Sequence, residues 1–253
     1  MATYKKRGGK PRGKEKDQIE ELESTTAEVF SSLDEGASKT EQWVAKNQNY
    51  IVGFIAVISL VVLGYLAYGQ FIQAPKEKEA SNELYFAQQY FEQALNTADS
   101  DSLYNLALTG AEGKYGLLDI IDKYSGTEAA NLAYYSAGMA YLNTGKYDKA
   151  IEHLQEFSSD DAILGPVAKG AMGDCFMQLD QPEVALEYFE EAVALQSNDF
   201  TTPLYLMKAG TAAKILGDYS KAHEFFKRIK DEYPSSTQAS QADVLIGQVE
   251  NLK

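Results

Sequence analysis

The sequence predicts an all-α protein, a single transmembrane helix followed by an α-solenoid of about four helix pairs and a capping helix. Three observations carry this reading. A charge-free apolar run spans residues 50–72. Three later segments repeat one pattern of small, aromatic and turn residues at offsets of 35 and 37. The remaining apolar residues recur at helical rather than alternating spacing.

Residues 1–48 read as a basic, partly disordered cytoplasmic tail. The segment MATYKKRGGKPRGKEK carries Lys5, Lys6, Arg7, Lys10, Arg12, Lys14 and Lys16, and its Lys/Gly/Arg content predicts disorder to about residue 17. Residues 17–34 form a short amphipathic helix with Ile19, Leu22, Val29, Phe30 and Leu33 on one side.

Residues 49–73 are the membrane helix. No charged residue falls between Lys46 and Lys76. Within that gap lies YIVGFIAVISLVVLGYLAYGQFI, long enough for the roughly 20 residues that a hydrocarbon core requires. A lone strand there would leave its backbone unpaired in lipid, so the run is a helix. Tyr50, Tyr65, Tyr68 and Trp43 fall where interfacial aromatics sit. A cleaved signal would have a shorter apolar core nearer the N-terminus. The basic tail keeps the N-terminus cytoplasmic and sends the C-terminal domain across the membrane.

Residues 74–253 form the solenoid. Residues 1–49 hold 9 Lys+Arg and 9 Asp+Glu, so of the chain's 23 and 37 the other 204 residues hold 14 and 28, a net of −14. So acidic a domain repels nucleic-acid phosphates, and no nucleic-acid partner is expected for it. The repeats are NLAYYSAGMAYLNTGKYDKAIEHLQEF at 131–157, PVAKGAMGDCFMQLDQPEVALEYFEEA at 166–192 and PLYLMKAGTAAKILGDYSKAHEFFKRI at 203–229. Each has glycine at its eighth place (Gly138, Gly173, Gly210), then Tyr141, Phe176 or Ala213 three residues on. Each has a turn (Thr144-Gly145, Asp180-Gln181, Gly217-Asp218), then Tyr147, Pro182 or Tyr219, then Ala150, Ala185 or Ala222. Leu154, Phe189 or Phe226 follows that alanine by four residues. Small residues let two antiparallel helices approach, bulky ones fill the space between units, and the turn supplies a left-handed cap.

This pattern resembles the tetratricopeptide family. Upstream, residues 81–98, with Leu84, Tyr85, Gln88, Phe91 and Leu95 on one face, and residues 111–124 read as a degenerate first pair, joined by the polar segment around 99–102. Residues 236–252 read as a capping helix.

The family resemblance implies a concave groove lined by the first helix of each pair. Its places here are Leu132, Tyr135, Met139, Leu142 and Asn143; then Val167, Gly170, Asp174, Met177 and Gln178; then Leu204, Met207, Thr211 and Lys214. Apolar side chains with flexible methionines suit adaptable binding of an apolar peptide. Family members that grip a C-terminal carboxylate present Lys and Asn there; Tyr135, Met139, Gly170 and Asp174 stand in those places, so that clamp is not expected.

No catalytic set, cofactor site or metal site is expected. His153 and His223 lie on second helices of different repeats, and no His-x-x-x-His or Cys-x-x-Cys occurs. The lone Cys175 reads as a small buried helix residue. The chain therefore reads as a binding protein rather than an enzyme.

From residue 45 onward the layout resembles the ancillary subunit of the bacterial Sec translocon: a short cytoplasmic tail, one span, and an acidic repeat domain starting directly after it. The resemblance implies a bacterial inner-membrane location with the repeats in the periplasm. It also implies protein partners (translocon subunits, a periplasmic chaperone or unfolded secreted chains), and lipid contact through the anchor. A structural scaffold for another cell-envelope machine is the alternative.

Overall fold

The structure is a computed structural model that describes residues 13–97 and 100–252, with side chains described from residue 40. Every described element is helical, and the chain divides into two units, residues 1–68 and 69–253.

The first unit is one helix, α1 (Gly13–Tyr68). Residues 1–12 of the basic tail lie outside the described part. The rest of the segment expected to hold a separate short helix at 17–34 is instead continuous with α1; the apolar face assigned to it falls among undescribed side chains. The apolar run has a window with mean hydropathy 2.4, none of it buried. It is long and apolar enough to cross a membrane, and no neighbour covers it as a core helix would be covered.

The second unit opens with a π-helical turn, Gly69–Gln73, and α2 (Ala74–Leu95), which carries Pro75 in its first turn where no N–H is needed. Next come α3 (Ser100–Thr109) and the short α4 (Leu117–Lys123). The predicted first pair is corrected here. The partner of α2 is α3, which starts inside the polar stretch read as a joint. The helix expected over 111–124 shrinks to α4 because Gly110, Glu112 and Gly113 take positive φ (78°, 53° and 74°). The buried face of α2 also differs. Ala80, Leu84, Ala87 and Ala94 face inward, whereas Tyr85 and Leu95 are 56% and 59% exposed. Alanines win because α2 must lie close to α3, α4 and α5 together.

Three helix pairs follow: α5 (Glu128–Asn143) with α6 (Tyr147–Glu156), α7 (Leu164–Gln178) with α8 (Pro182–Leu195), and α9 (Thr201–Ile215) with α10 (Tyr219–Glu232). The cap α11 (Ala239–Glu250) packs on α10 and α9. The pairs are built as the repeat pattern requires. A Cβ on Gly138 would lie 2.5 Å from Leu154 Cγ, one on Gly173 2.5 Å from Phe189 Cε1, and one on Gly210 would overlap the Phe226 ring. The matching Ala150, Ala185 and Ala222 are fully buried. Each first helix ends on a left-handed residue, Gly145, Asp180 or Gly217 (φ 71°, 58° and 79°). There the next amide reaches back: Lys146 N to Tyr141 O, Gln181 N to Phe176 O and Asp218 N to Ala213 O, each 2.9 Å. This is one helix-ending motif used three times.

The first helices touch one another in series, α5 on α7, α7 on α9 and α9 on α11, while α6, α8 and α10 do not meet. Contact along one side and separation along the other curves the repeats, with the first helices on the inner face.

Candidate functional site

The inner face is assembled from α5, α7 and α9. These helices are poor in charge: together they hold Glu128, Lys169, Asp174, Lys208 and Lys214. Their alanines and glycines are buried, with Tyr141, Met172, Cys175, Tyr205, Leu206 and Met207, while Leu132, Tyr135, Met139, Leu142, Met177 and Leu204 remain partly open.

On α5, Leu132 is half-buried against the core shared with α2, α3 and α4, and Leu142 borders both that core and the next. Tyr135 and Met139 pack over the cluster of Leu154, Ala168, Ala171 and Met172, the Tyr135 ring 5.1 Å from that of Phe157. Burial alone pushes the Tyr135 hydroxyl above its usual pKa, so it stays protonated and able to donate. Asn143 is exposed; its Nδ2 donates to Met139 O at 2.7 Å, which leaves its carbonyl oxygen open.

On α7, Val167 and Met177 are half-buried and Gln178 is exposed. Gln178 accepts from the Tyr147 hydroxyl at 3.4 Å, so its amide hydrogens face outward. Asn143 and Gln178 are 35 residues apart, at equivalent places of two repeats. On α9, Leu204 is half-buried and Thr211 exposed, its hydroxyl donating to Met207 O at 2.8 Å. Met207 is only 8% exposed and belongs to the core around Phe226. Lys214 donates to Gln248 Oε1 of α11 at 2.9 Å.

Two residues join the site that the repeat register does not single out. Lys208 reaches from α9 to Asp174 on α7 and donates to both carboxylate oxygens at 2.6 Å. Each side chain of this pair is about a third exposed (32% and 35%). Burial raises the Asp174 carboxyl pKa more than the Lys208 charge lowers it. Tyr205, one turn before Lys208, is buried against Gly170, where any Cβ would run into its ring. Tyr205 is therefore the reason the groove place at Gly170 holds no side chain. Its phenol pKa is raised, first by burial and then by the Asp174 charge. A signal for Lys208 was present in the sequence, since it follows Leu204 by one turn.

The chemistry on offer is recognition. Half-open Leu132, Tyr135, Met139, Leu142, Met177 and Leu204 give an apolar track, Asn143 and Gln178 give main-chain hydrogen bonding, and Asp174–Lys208 gives one neutral ion pair. Among the described residues no group of three or more His, Cys, Asp or Glu side chains could hold a metal. Cys175 is buried, its thiol pushed up to about 12 by burial first and then by Asp174, so it is not a nucleophile at neutral pH. His153 is wedged against Tyr141 (5.1 Å between rings) with Nδ1 2.9 Å from Lys149 O, and His223 Nε2 is 3.1 Å from Glu250.

Residues 132–157 and residues 171–237 each match a family model of the tetratricopeptide repeat. The first match runs from within α5 to just past α6, the second from within α7 to the α10–α11 loop. No curated protein matches the chain.

Proposed function

We propose that the chain is a membrane-anchored protein-binding adaptor that holds a protein segment in the groove of its first helices. The observation that carries this is the pairing of an uncovered apolar helix at 50–72 with repeats whose inner face keeps apolar and amide groups half-open. Tetratricopeptide repeats serve protein–protein interaction, and flexible Met139 and Met177 suit a partner read by shape rather than by charge. The apolar helix supplies the anchor, with the N-terminus cytoplasmic on the strength of the basic tail. The repeats then stand in the periplasm of a bacterial inner membrane. There the protein serves the Sec translocon and hands emerging chains to periplasmic chaperones; the layout from residue 45 onward supports this finer reading.

The test is a mild-detergent pull-down of the full-length protein from its native membrane, read by mass spectrometry. Recovery of the Sec channel and a periplasmic folding factor, lost in the Tyr135→Glu, Met139→Glu double variant with helix content unchanged, supports the reading. Recovery of envelope-assembly proteins without the channel replaces the translocon by another envelope machine. A reporter fused at Lys253 that proves cytoplasmic overturns the orientation.

A further inference from the structure

Tyr205 is a buried phenol whose hydroxyl has no partner inside the protein. The residue is 4% exposed, and its ring runs against Gly170 and stacks on Phe189, with 6.4 Å between centroids and 15° between planes. A phenol buried to this degree normally bonds through its hydroxyl. Here that hydroxyl makes no hydrogen bond among the described residues, and it is not among the polar atoms sealed from solvent. The one polar tip of a buried side chain is therefore open to an outside group.

Other polar groups of the inner face gather around it. Asp174 follows Gly170 by one turn on α7, and Tyr135 comes from α5. The charges of Asp174 and Tyr135 both act to raise the Tyr205 pKa, so both groups stand near its hydroxyl. The half-buried Tyr135 likewise makes no hydrogen bond among the described residues. Lys208 Nζ lies 2.6 Å from each Asp174 oxygen and 5.9 Å from the ring centroids of Phe189 and Tyr205. It takes about two of the roughly four lone-pair sites of the carboxylate and leaves the rest open.

A cation or an anion could find bonding partners in this set, and the sign of the surrounding charge decides between them. Lys208 does not fully offset the burial of Asp174, whose carboxyl pKa stays above its ordinary value. On the neighbouring second helices Asp148, Glu152 and Glu156 of α6 and Glu183 and Glu187 of α8 lie outside any ion pair among the described residues. They belong to a region of net charge −14, whose field draws cations and repels anions. An arriving cation completes the neutralisation of Asp174. Arginine suits the place best, because its planar fork can donate to a carboxylate and a phenol oxygen together while its face lies on an aromatic ring.

We propose that the pocket formed by Tyr135, Asp174, Tyr205 and Lys208 takes a basic side chain, arginine above all, from the protein segment held in the groove. This rests on the groove reading, and it adds one charged contact to a partner otherwise read by shape. Asp174 is the acceptor, the two phenols flank it, and Lys208 keeps the carboxylate in place while the pocket is empty.

The test uses the full chain in lipid nanodiscs, with empty nanodiscs as the blank, and three fluorescein-labelled peptides read by anisotropy. The peptides share a short sequence of leucine, methionine and asparagine and differ at one central residue: arginine, norleucine or glutamate. The expected result is arginine bound at least about tenfold more tightly than norleucine, the size of one charge-assisted hydrogen bond, and glutamate bound most weakly. Asp174→Asn should abolish the arginine preference and Tyr205→Phe, which keeps the ring, should reduce it, both with helix content unchanged. Equal affinity for arginine and norleucine overturns the basic pocket and leaves the groove reading standing. A preference for glutamate overturns it by sign. An arginine preference undiminished in either variant overturns it as well and assigns the effect to the overall charge of the region. Binding of none of the three peptides overturns the groove and the pocket together.

Discussion

First and second helices of each repeat are buried in different ways. Eight of the 16 residues of α5, eight of the 15 of α7 and ten of the 15 of α9 are buried. In α6, α8 and α10 the numbers are three of ten, four of 14 and four of 14. A first helix meets its own partner on one side and neighbouring units on others, so it is built from alanine and glycine and can carry little charge. A second helix buries one stripe, Ala185, Leu186, Phe189 and Ala192 in α8, and leaves Glu183, Glu187 and Glu191 in water. Acidic residues outnumber basic ones on α6 and α8, whereas the three first helices together hold only Glu128 and Asp174 against Lys169, Lys208 and Lys214. A domain of net charge −14 thereby keeps its first helices nearly free of charge.

Substitutions can break or sharpen this contrast. The largest effect is expected from Phe226→Ala, which empties the space the α10 ring fills against Gly210. It should cost about 3–5 kcal/mol in chemical denaturation of the detergent-solubilised protein. Next is Gly173→Ala, a single methyl on a first helix that must displace the Phe189 ring; about 1–3 kcal/mol is expected. A cost as small as that of an exposed substitution would mean the helices are not so close. Asp180→Gly should stabilise by up to about 1 kcal/mol, since Asp180 holds the left-handed place that glycine fills in the other two repeats.

A loop carboxylate and a first-helix carboxylate should also differ in their response to pH. Asp161 accepts from the amides of Leu164 and Ile163, which hold its pKa below the usual value. Its contribution is present at neutral pH and is lost as pH falls through that depressed pKa. Asp174 has the opposite sign: burial raises its pKa, so its ionised form weighs against the fold at neutral pH and the penalty lifts as pH falls through the raised pKa. Denaturation midpoints against pH should show wild type gaining on Asp174→Asn from neutral to mildly acidic pH, and losing its lead over Asp161→Asn only at lower pH. The smallest effect is expected for Glu187→Ala on the exposed stripe of α8, within about 0.5 kcal/mol.

The repeats were legible in the sequence because their packing depends on residue size at fixed places: Gly138 against Leu154, Gly173 against Phe189, Gly210 against Phe226. The region before them was less so. Helix α3 is ten residues long and opens with Ser100, Asp101 and Ser102, residues that suit a helix start as well as a loop. Helix α2 buries alanines, which weigh little in a count of bulky apolar residues but matter most where backbones come close. Helical periodicity fixes which of the expected groove places share one side of a first helix. Met207 sank into the core instead, and Lys208 beside it closed an ion pair across two repeats, a contact that depends on how units stack and not on any one helix.

The central claim is that the inner face, not the outer one, receives the partner. The most direct measurement is site-specific photocrosslinking of the full-length protein in its native membrane, with the probe at Asn143, Gln178 or Thr211 on the first helices and at Glu152, Glu187 or Glu224 on the second. The expected result is a shared adduct from the three inner positions and none from the outer three. Adducts from the outer positions alone would contradict it and move the binding surface to the second helices.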